Sequence, residues 1–297
     1  MRVAAVDLGT NTTRLLVADV ADGRVEEVHR ETRITRLGEG VDARRRLLPV
    51  PIARVRNVLA DYRRTLESLG AERTLAVATS AVRDAENGEA FLGEVEWSYG
   101  FTTQLASGDE EAELTRRGVE PAATTLVLDI GGGSTELILD GFHASLPMGS
   151  VRFTERFGEN VDECTTAART LLPALSPKDA IGVAGTVTTL AALDLGLPEF
   201  DRDRVHGHRL SRARAREQLD RLAALTIDER RALPAMEPER APVIVAGAAI
   251  LVAALEFFGL DSLEVSERDL LDGIALAAAE LPAPEEGAAP PGAYTCC

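Results

Sequence analysis

Two hydrophobic periods alternate along the chain, and their order predicts the elements. At 126–129 and 137–139 the runs Leu-Val-Leu-Asp and Leu-Ile-Leu flank Gly131, Gly132 and Gly133. Short β-rich arms around a glycine turn predict a hairpin. The stretch 3–19 superimposes on it without a gap: Asp7 falls on Asp129, Gly9 on Gly131, Thr12 on Ser134, Thr13 on Thr135 and Leu15 on Leu137. Such self-similarity predicts two related lobes, each opening with a strand, an acid, a turn and a return strand. Strand-forming segments at 24–36 and a glycine-containing turn at 38–40 follow the first hairpin.

Helical and strand patterns then take turns. Ile52, Val55, Leu59, Tyr62, Leu66 and Leu69 make one apolar face of a helix starting at Pro51. Arg54, Arg56, Arg63 and Arg64 lie off that face, as a solvated helix surface. Strands are expected at 74–78, 101–105, 181–184 and 263–265, and helices at 188–195, 219–233 and 269–281. The run 243–260 is apolar apart from Glu256, close to membrane-spanning length. It is rich in Ala and Gly and follows Pro242, which predicts a buried core helix. From Pro282 onward Pro, Gly, Ala and Glu dominate, so 282–297 reads as a disordered tail. The predicted domains are 1–121 and 122–281.

Composition narrows the function. A chain of 297 residues can bury two cores, and 45% hydrophobic with 27% charged residues is ordinary for a soluble globular protein. The net charge of −16 argues against nucleic-acid binding, which needs a basic surface. It also requires any polyanion site to be made positive locally, by arginines, backbone N–H groups or metal. Nearly all basic residues are Arg, Lys178 being the exception. Cys164, Cys296 and Cys297 have neither metal spacing nor a disulfide framework, which fits a reducing cytoplasm. A strand directly after Met1-Arg2 leaves no room for a secretion signal, and no membrane partner is expected.

The hairpin tips carry the candidate chemistry. Gly131, Gly132 and Gly133 let backbone N–H groups approach a phosphate, and Ser134 and Thr135 add hydroxyls. Asp129 and Glu136 supply hard oxygens, which beside phosphate suit Mg²⁺ or a similar ion. Strand 74–78 ends in Thr79, Ser80 and Arg83, where an α/β fold presents ligand contacts. Ser107 is a candidate cap for a helix whose first turn holds Asp109, Glu110 and Glu111. A carboxylate there also has the chemistry to orient and deprotonate water. Gly149 and Arg152 begin another helix whose N–H groups are candidates to face the ligand. His206 and His208, two apart without nearby acids or Cys, read as loop residues.

Together the stretches 7–14 (Asp-Leu-Gly-Thr-Asn-Thr-Thr-Arg), 78–87, 107–112 and 129–136 (Asp-Ile-Gly-Gly-Gly-Ser-Thr-Glu) resemble the exopolyphosphatase and guanosine pentaphosphate phosphohydrolase family. The resemblance continues through 149–155, 184–190 and 240–273. It implies an α/β fold of two ribonuclease H-like lobes, as in actin-like ATPases, with an interlobe cleft. It implies Mg²⁺ or Mn²⁺, with K⁺ a further candidate, held by Asp7, Asp129 and Glu136. Substrate would be bound by Gly9, Thr10, Asn11, Thr12, Arg14, Arg83 and the 131–135 tip. The water-activating carboxylate, directly before an alanine, matches Glu111, with Glu110 its competitor. A glycine turn near Gly185 accommodates adenosine in actin-like kinases. The implied partners are inorganic polyphosphate or guanosine pentaphosphate, with a homodimer as candidate assembly; a chain ending after two lobes favours shorter polyphosphate. An ATP-dependent kinase and a non-catalytic polyphosphate or alarmone sensor are the rival readings.

Overall fold

A computed structural model of the protein describes residues 1–282, and the chain divides into two compact units. The first comprises Met1–Val119 together with the stretch beginning at Leu270. Its sheet contains β1 (Arg2–Leu8), β2 (Thr12–Ala21), β3 (Arg24–Ile34), β4 (Arg73–Ala78) and β5 (Thr102–Leu105), in the order β3-β2-β1-β4-β5. β2 runs antiparallel to β1, while β1, β4 and β5 are mutually parallel.

Alternation along the strands gives this sheet two apolar faces. Ala4, Val6, Leu8, Leu15 and Val17 pack on Val55, Leu59, Tyr62 and Leu66 of the helix Pro49–Ser68. That helix begins earlier than Pro51 because Pro49, with its preset φ, already stands at the first helical position. Val3, Ala5, Leu16, Ala18 and Val77 pack on the opposite side against Leu270, Leu271, Ile274, Ala275 and Ala278. The helix Leu270–Glu280 therefore belongs to the first unit, not to the 122–281 lobe expected from chain order. Its apolar stripe completes the second face of a sheet made at the far end of the sequence.

The second unit, Glu120–Asp269, repeats the plan. β6 (Thr125–Ile130), β7 (Thr135–Leu139), β8 (Phe142–Leu146), β9 (Asp179–Val183), β10 (Arg209–Ser211) and β11 (Ser262–Val265) lie in the order β10-β11-β9-β6-β7-β8. Read from β8 to β11, this is the first unit's order, with β10 added antiparallel at the edge. Each sheet thus has the strand order expected of a ribonuclease H-like lobe.

The core helix Ile244–Phe257 is buried at every position from Ile244 to Leu255. Among the described residues no helix is long and apolar enough to cross a membrane. The helix expected at 219–233 is two helices, Arg212–Ala224 and Ile227–Arg231. Thr226 and Glu229 form a capping box that starts the second, so the charged run is interrupted where a new N-terminus is satisfied. The helix expected at 188–195 begins earlier, as Ala184–Asp194. Apart from Pro282, the expected tail and its Cys296 and Cys297 lie outside the described residues.

Candidate active site

In the first unit the candidate residues collect where the parallel strands β1, β4 and β5 end, the usual ligand edge of an α/β sheet. β1 runs into a tight tip in which Gly9 N–H donates to Thr12 O at 2.9 Å. Asp7 and Arg14 are register partners across the hairpin, so their side chains leave the same face; Arg14 Nε donates to Asp7 Oδ2 at 2.8 Å. The Thr10 hydroxyl meets the Ser80 hydroxyl at 2.9 Å, joining the tip to the turn after β4. Asn11 is buried, and its Oδ1 has no hydrogen-bond partner.

Glu110 and Glu111 are told apart by their partners. Glu110 is exposed and spent on a capping box: Ser107 N–H donates to Glu110 Oε2 at 2.8 Å, and Glu110 N–H donates to Ser107 Oγ at 3.2 Å. The Ser107 backbone N–H, and then its hydroxyl, hold the Glu110 carboxyl below the usual carboxylate range. Glu111 is 5% exposed. Arg83 Nη1 reaches it at 3.2 Å and also donates to Ala106 O at 2.7 Å. Glu110 is thus spent on the helix cap, while Glu111 is buried against an arginine at the strand-end edge.

The second unit carries the same tip. Gly131 N–H donates to Ser134 O at 3.0 Å, as Gly9 does to Thr12. Asp129 and Glu136 are register partners and both buried. Glu136 Oε1 accepts from Ser145 Oγ at 2.8 Å on the neighbouring strand. Two hard carboxylates on one face fit Mg²⁺, which usually takes one or two carboxylates and completes its shell with water and substrate phosphate. Asp7, expected as a third ligand, has its register partner in an arginine that neutralises it. Among the described residues no group of three His, Cys, Asp or Glu side chains is arranged to hold a metal.

Several expected contacts are structural instead. Thr135, fully buried, donates its hydroxyl to Met148 O at 2.7 Å and does not present it to a ligand. The N–H groups at the start of the helix Ser150–Phe157 do not face a ligand either. Ser150 donates to Gly131 O at 3.0 Å, Val151 and Arg152 donate to Gly132 O at 2.8 and 3.1 Å, and Arg152 Nε donates to Gly133 O at 2.6 Å. Arg54, Arg56, Arg63 and Arg64 are all in ion pairs with acids of their own unit. His208 Nε2 lies 2.9 Å from Asp194, and His206 Nδ1 accepts from Glu267 N–H, as loop anchors. Burial pushes the Cys164 thiol up to about 11, which removes it as a nucleophile. The Arg240 guanidinium occupies the space beside Gly185, where a Cβ would lie 1.7 Å from Nη1. The turn associated with adenosine in kinases is filled here by a side chain. Sequence reasoning missed Ala106 and Met148, whose backbone carbonyls act by position after a strand and carry no side-chain signal, whereas Ser80 was named as a hydroxyl at a strand end.

The chain as a whole is similar to known proteins. The Ppx/GppA phosphatase family matches residues 16–280. Exopolyphosphatase 2 of Mycobacterium tuberculosis is 42% identical over 94% of this chain and 98% of its own. The guanosine-5'-triphosphate,3'-diphosphate pyrophosphatase of Vibrio vulnificus is 32% identical over 92% of this chain and 58% of its own. The crystal structure of the Aquifex aeolicus Ppx/GppA family member superposes with a TM-score of 0.77 at 30% identity, over 94% of this chain and 98% of its own. The duplicated sheet order, the paired acid-and-glycine tips and the Arg83–Glu111 pair therefore sit within a likeness that spans nearly the whole sequence, and the chain belongs to the Ppx/GppA phosphatase family.

Proposed function

We propose that the protein is an exopolyphosphatase that removes the terminal phosphate of inorganic polyphosphate. The observation that carries this reading is the buried Glu111 held by Arg83 beside the Thr10–Ser80 contact of a phosphate-type tip. Glu111 accepts a proton from water as the water oxygen bonds to the terminal phosphorus; the bridging P–O bond breaks, its electrons leave with the shortened chain, and phosphate departs. Asp129 and Glu136 are the residues that would hold Mg²⁺, whose chemistry when bound is to neutralise phosphate oxygens. Gly9, Thr10, Asn11, Thr12, Arg14 and Arg83 are the substrate contacts proposed in the first unit, and the second unit carries a phosphate-type tip of its own at 131–134. The net charge of −16 makes such local positive features a requirement for a polyanion.

Guanosine pentaphosphate is the second substrate, favoured by the Vibrio vulnificus relative's name. An ATP-dependent kinase is disfavoured by Arg240 in the Gly185 turn. The test compares phosphate release from short polyphosphate, long polyphosphate and guanosine pentaphosphate, for wild type and Glu111→Gln. The expected result is turnover of polyphosphate, lost at least a hundredfold in the variant with binding retained. Near-wild-type hydrolysis by Glu111→Gln rejects the assignment, and saturable binding without turnover by wild type indicates a sensor.

A further inference from the structure

The two tips share more than their outward-facing residues. In both units the stretch after the third strand turns back and holds the tip by its carbonyl oxygens. In the first, Gly38 N–H donates to Thr10 O at 2.8 Å, and Thr35 and Arg36 N–H both donate to Asn11 O, at 3.0 and 2.9 Å. In the second, the donors are Ser150, Val151 and Arg152 N–H to Gly131 O and Gly132 O, and Arg152 Nε to Gly133 O. The register that places Asp7 on Asp129 places Thr10 on Gly132 and Asn11 on Gly133, so two of the three carbonyls held in the second tip have their counterparts held in the first. The hydroxyls of Thr13 and Thr135, also equivalent, tie the return strand to the same stretches, at Thr35 (2.9 Å) and Met148 O (2.7 Å).

In each unit a glycine permits this approach. A Cβ on Gly149 would lie 2.4 Å from Gly132 O and 2.6 Å from Gly133 N, backbone atoms that no rotamer change can move. A Cβ on Gly38 would lie 2.3 Å from Thr10 Cγ2.

A planar trans peptide points its N–H opposite to its C=O. Carbonyls drawn toward the clamp therefore turn the following N–H groups to the other side: Gly132, Gly133 and Ser134 in one tip, Asn11 and Thr12 in the other. We propose that this duplicated clamp is what presents the tip N–H groups to phosphate, and that Gly149 and Arg152 are positioning residues for it. The inference rests on the phosphohydrolase reading for its ligand but not for its geometry.

The test uses the full chain as wild type, Gly149→Ala and Arg152→Lys, the latter keeping the charge while losing the Nε donor. Amide hydrogen exchange is followed by mass spectrometry over residues 129–135 without ligand, and the Kd for inorganic tripolyphosphate with Mg²⁺ is measured by calorimetry. The expected result is exchange at least tenfold faster at the tip, with β9 unchanged, and a Kd raised at least tenfold. Unchanged tip exchange, or an unchanged Kd, in both variants overturns the proposal. If Gly149→Ala does not fold, Arg152→Lys decides alone. If wild type neither binds nor hydrolyses tripolyphosphate, the phosphohydrolase reading fails, and the clamp stands or falls on the exchange data.

Discussion

Replacing Arg83 separates its two candidate roles, aiming Glu111 and binding phosphate. Its Nη1 lies 3.2 Å from Glu111 Oε2, with the Glu111 side chain 7% and the Arg83 side chain 26% exposed. At that distance, with an effective dielectric near 20, the attraction is about 5 kcal/mol before desolvation and screening are subtracted. Part of that attraction is screened, because Arg83 is about a quarter exposed. Arg83→Met removes the guanidinium that aims the carboxylate and is expected to lower kcat at least tenfold, about 1.4 kcal/mol of activation free energy. An aiming role lowers kcat with KM nearly unchanged, because the lost interaction acts on the attacking water and not on bound substrate. Arg83→Lys keeps the charge but loses the planar fork that holds Ala106 O, so it restores only part of that kcat. The assay is phosphate release from polyphosphate over a range of substrate concentrations, which separates kcat from KM. A raised KM with kcat unmoved refutes the aiming role and leaves Arg83 as a phosphate ligand.

Four further outcomes follow from packing and caps. Ser107→Ala removes one partner of the capping box on the helix that carries Glu111 and is expected to cost about 1 kcal/mol, a Tm loss of about 2–4 °C by calorimetry. Because Ser107 depresses the Glu110 pKa in the folded state, the stability Glu110 adds is present above its ordinary value of 4.5 and lost as pH falls through the folded value. The Tm gap between wild type and Glu110→Gln therefore closes in acid, and a gap that widens there contradicts the cap. Gly273→Ala places a Cβ 1.8 Å from Leu114 O, so the helices Leu270–Glu280 and Gly108–Val119 must part. The expected loss is about 1–3 kcal/mol in urea unfolding with kcat reduced alongside, and an unaltered midpoint disproves the close contact. Arg230 is fully buried, donating to Leu222 O and Leu225 O at 2.7 Å each and pairing with Glu159. Arg230→Met strands those carbonyls and lowers stability by about 3 kcal/mol or more, read as a fall in urea midpoint at constant slope.

What the sequence disclosed was local. Asp, Gly and hydroxyl residues repeat at one spacing in both hairpins, and a period of two cannot be mistaken over such arms, so β1, β2, β6 and β7 were legible. The choice between Glu110 and Glu111 was not legible in spacing, because adjacent acids at a helix start look alike until one is seen in the cap and the other against Arg83. Thr135 was misread for a similar reason: its hydroxyl direction depends on Met148, which only the fold brings near. The placement of Leu270–Glu280 was hidden because its apolar stripe matches either sheet, and only the uncovered face of β1, β2 and β4 decides between them.

Duplication also leaves the two tips with different charges on one frame. Antiparallel register places residue 7 opposite 14 and residue 129 opposite 136, so each acid has a partner at the same spacing on the same face. In the first unit that partner is Arg14, which turns Asp7 into an anchor for a cation the protein itself supplies. In the second it is Glu136, so two buried carboxylates share one face of the hairpin, the arrangement the proposed Mg²⁺ would use. One difference at one register position thus gives an acid–arginine pair in one tip and an acid–acid pair in the other. The held carbonyls and the acid-to-glycine turn stay common to both. On a chain of net charge −16, each tip of the proposed phosphohydrolase would then place positive charge beside phosphate in its own way.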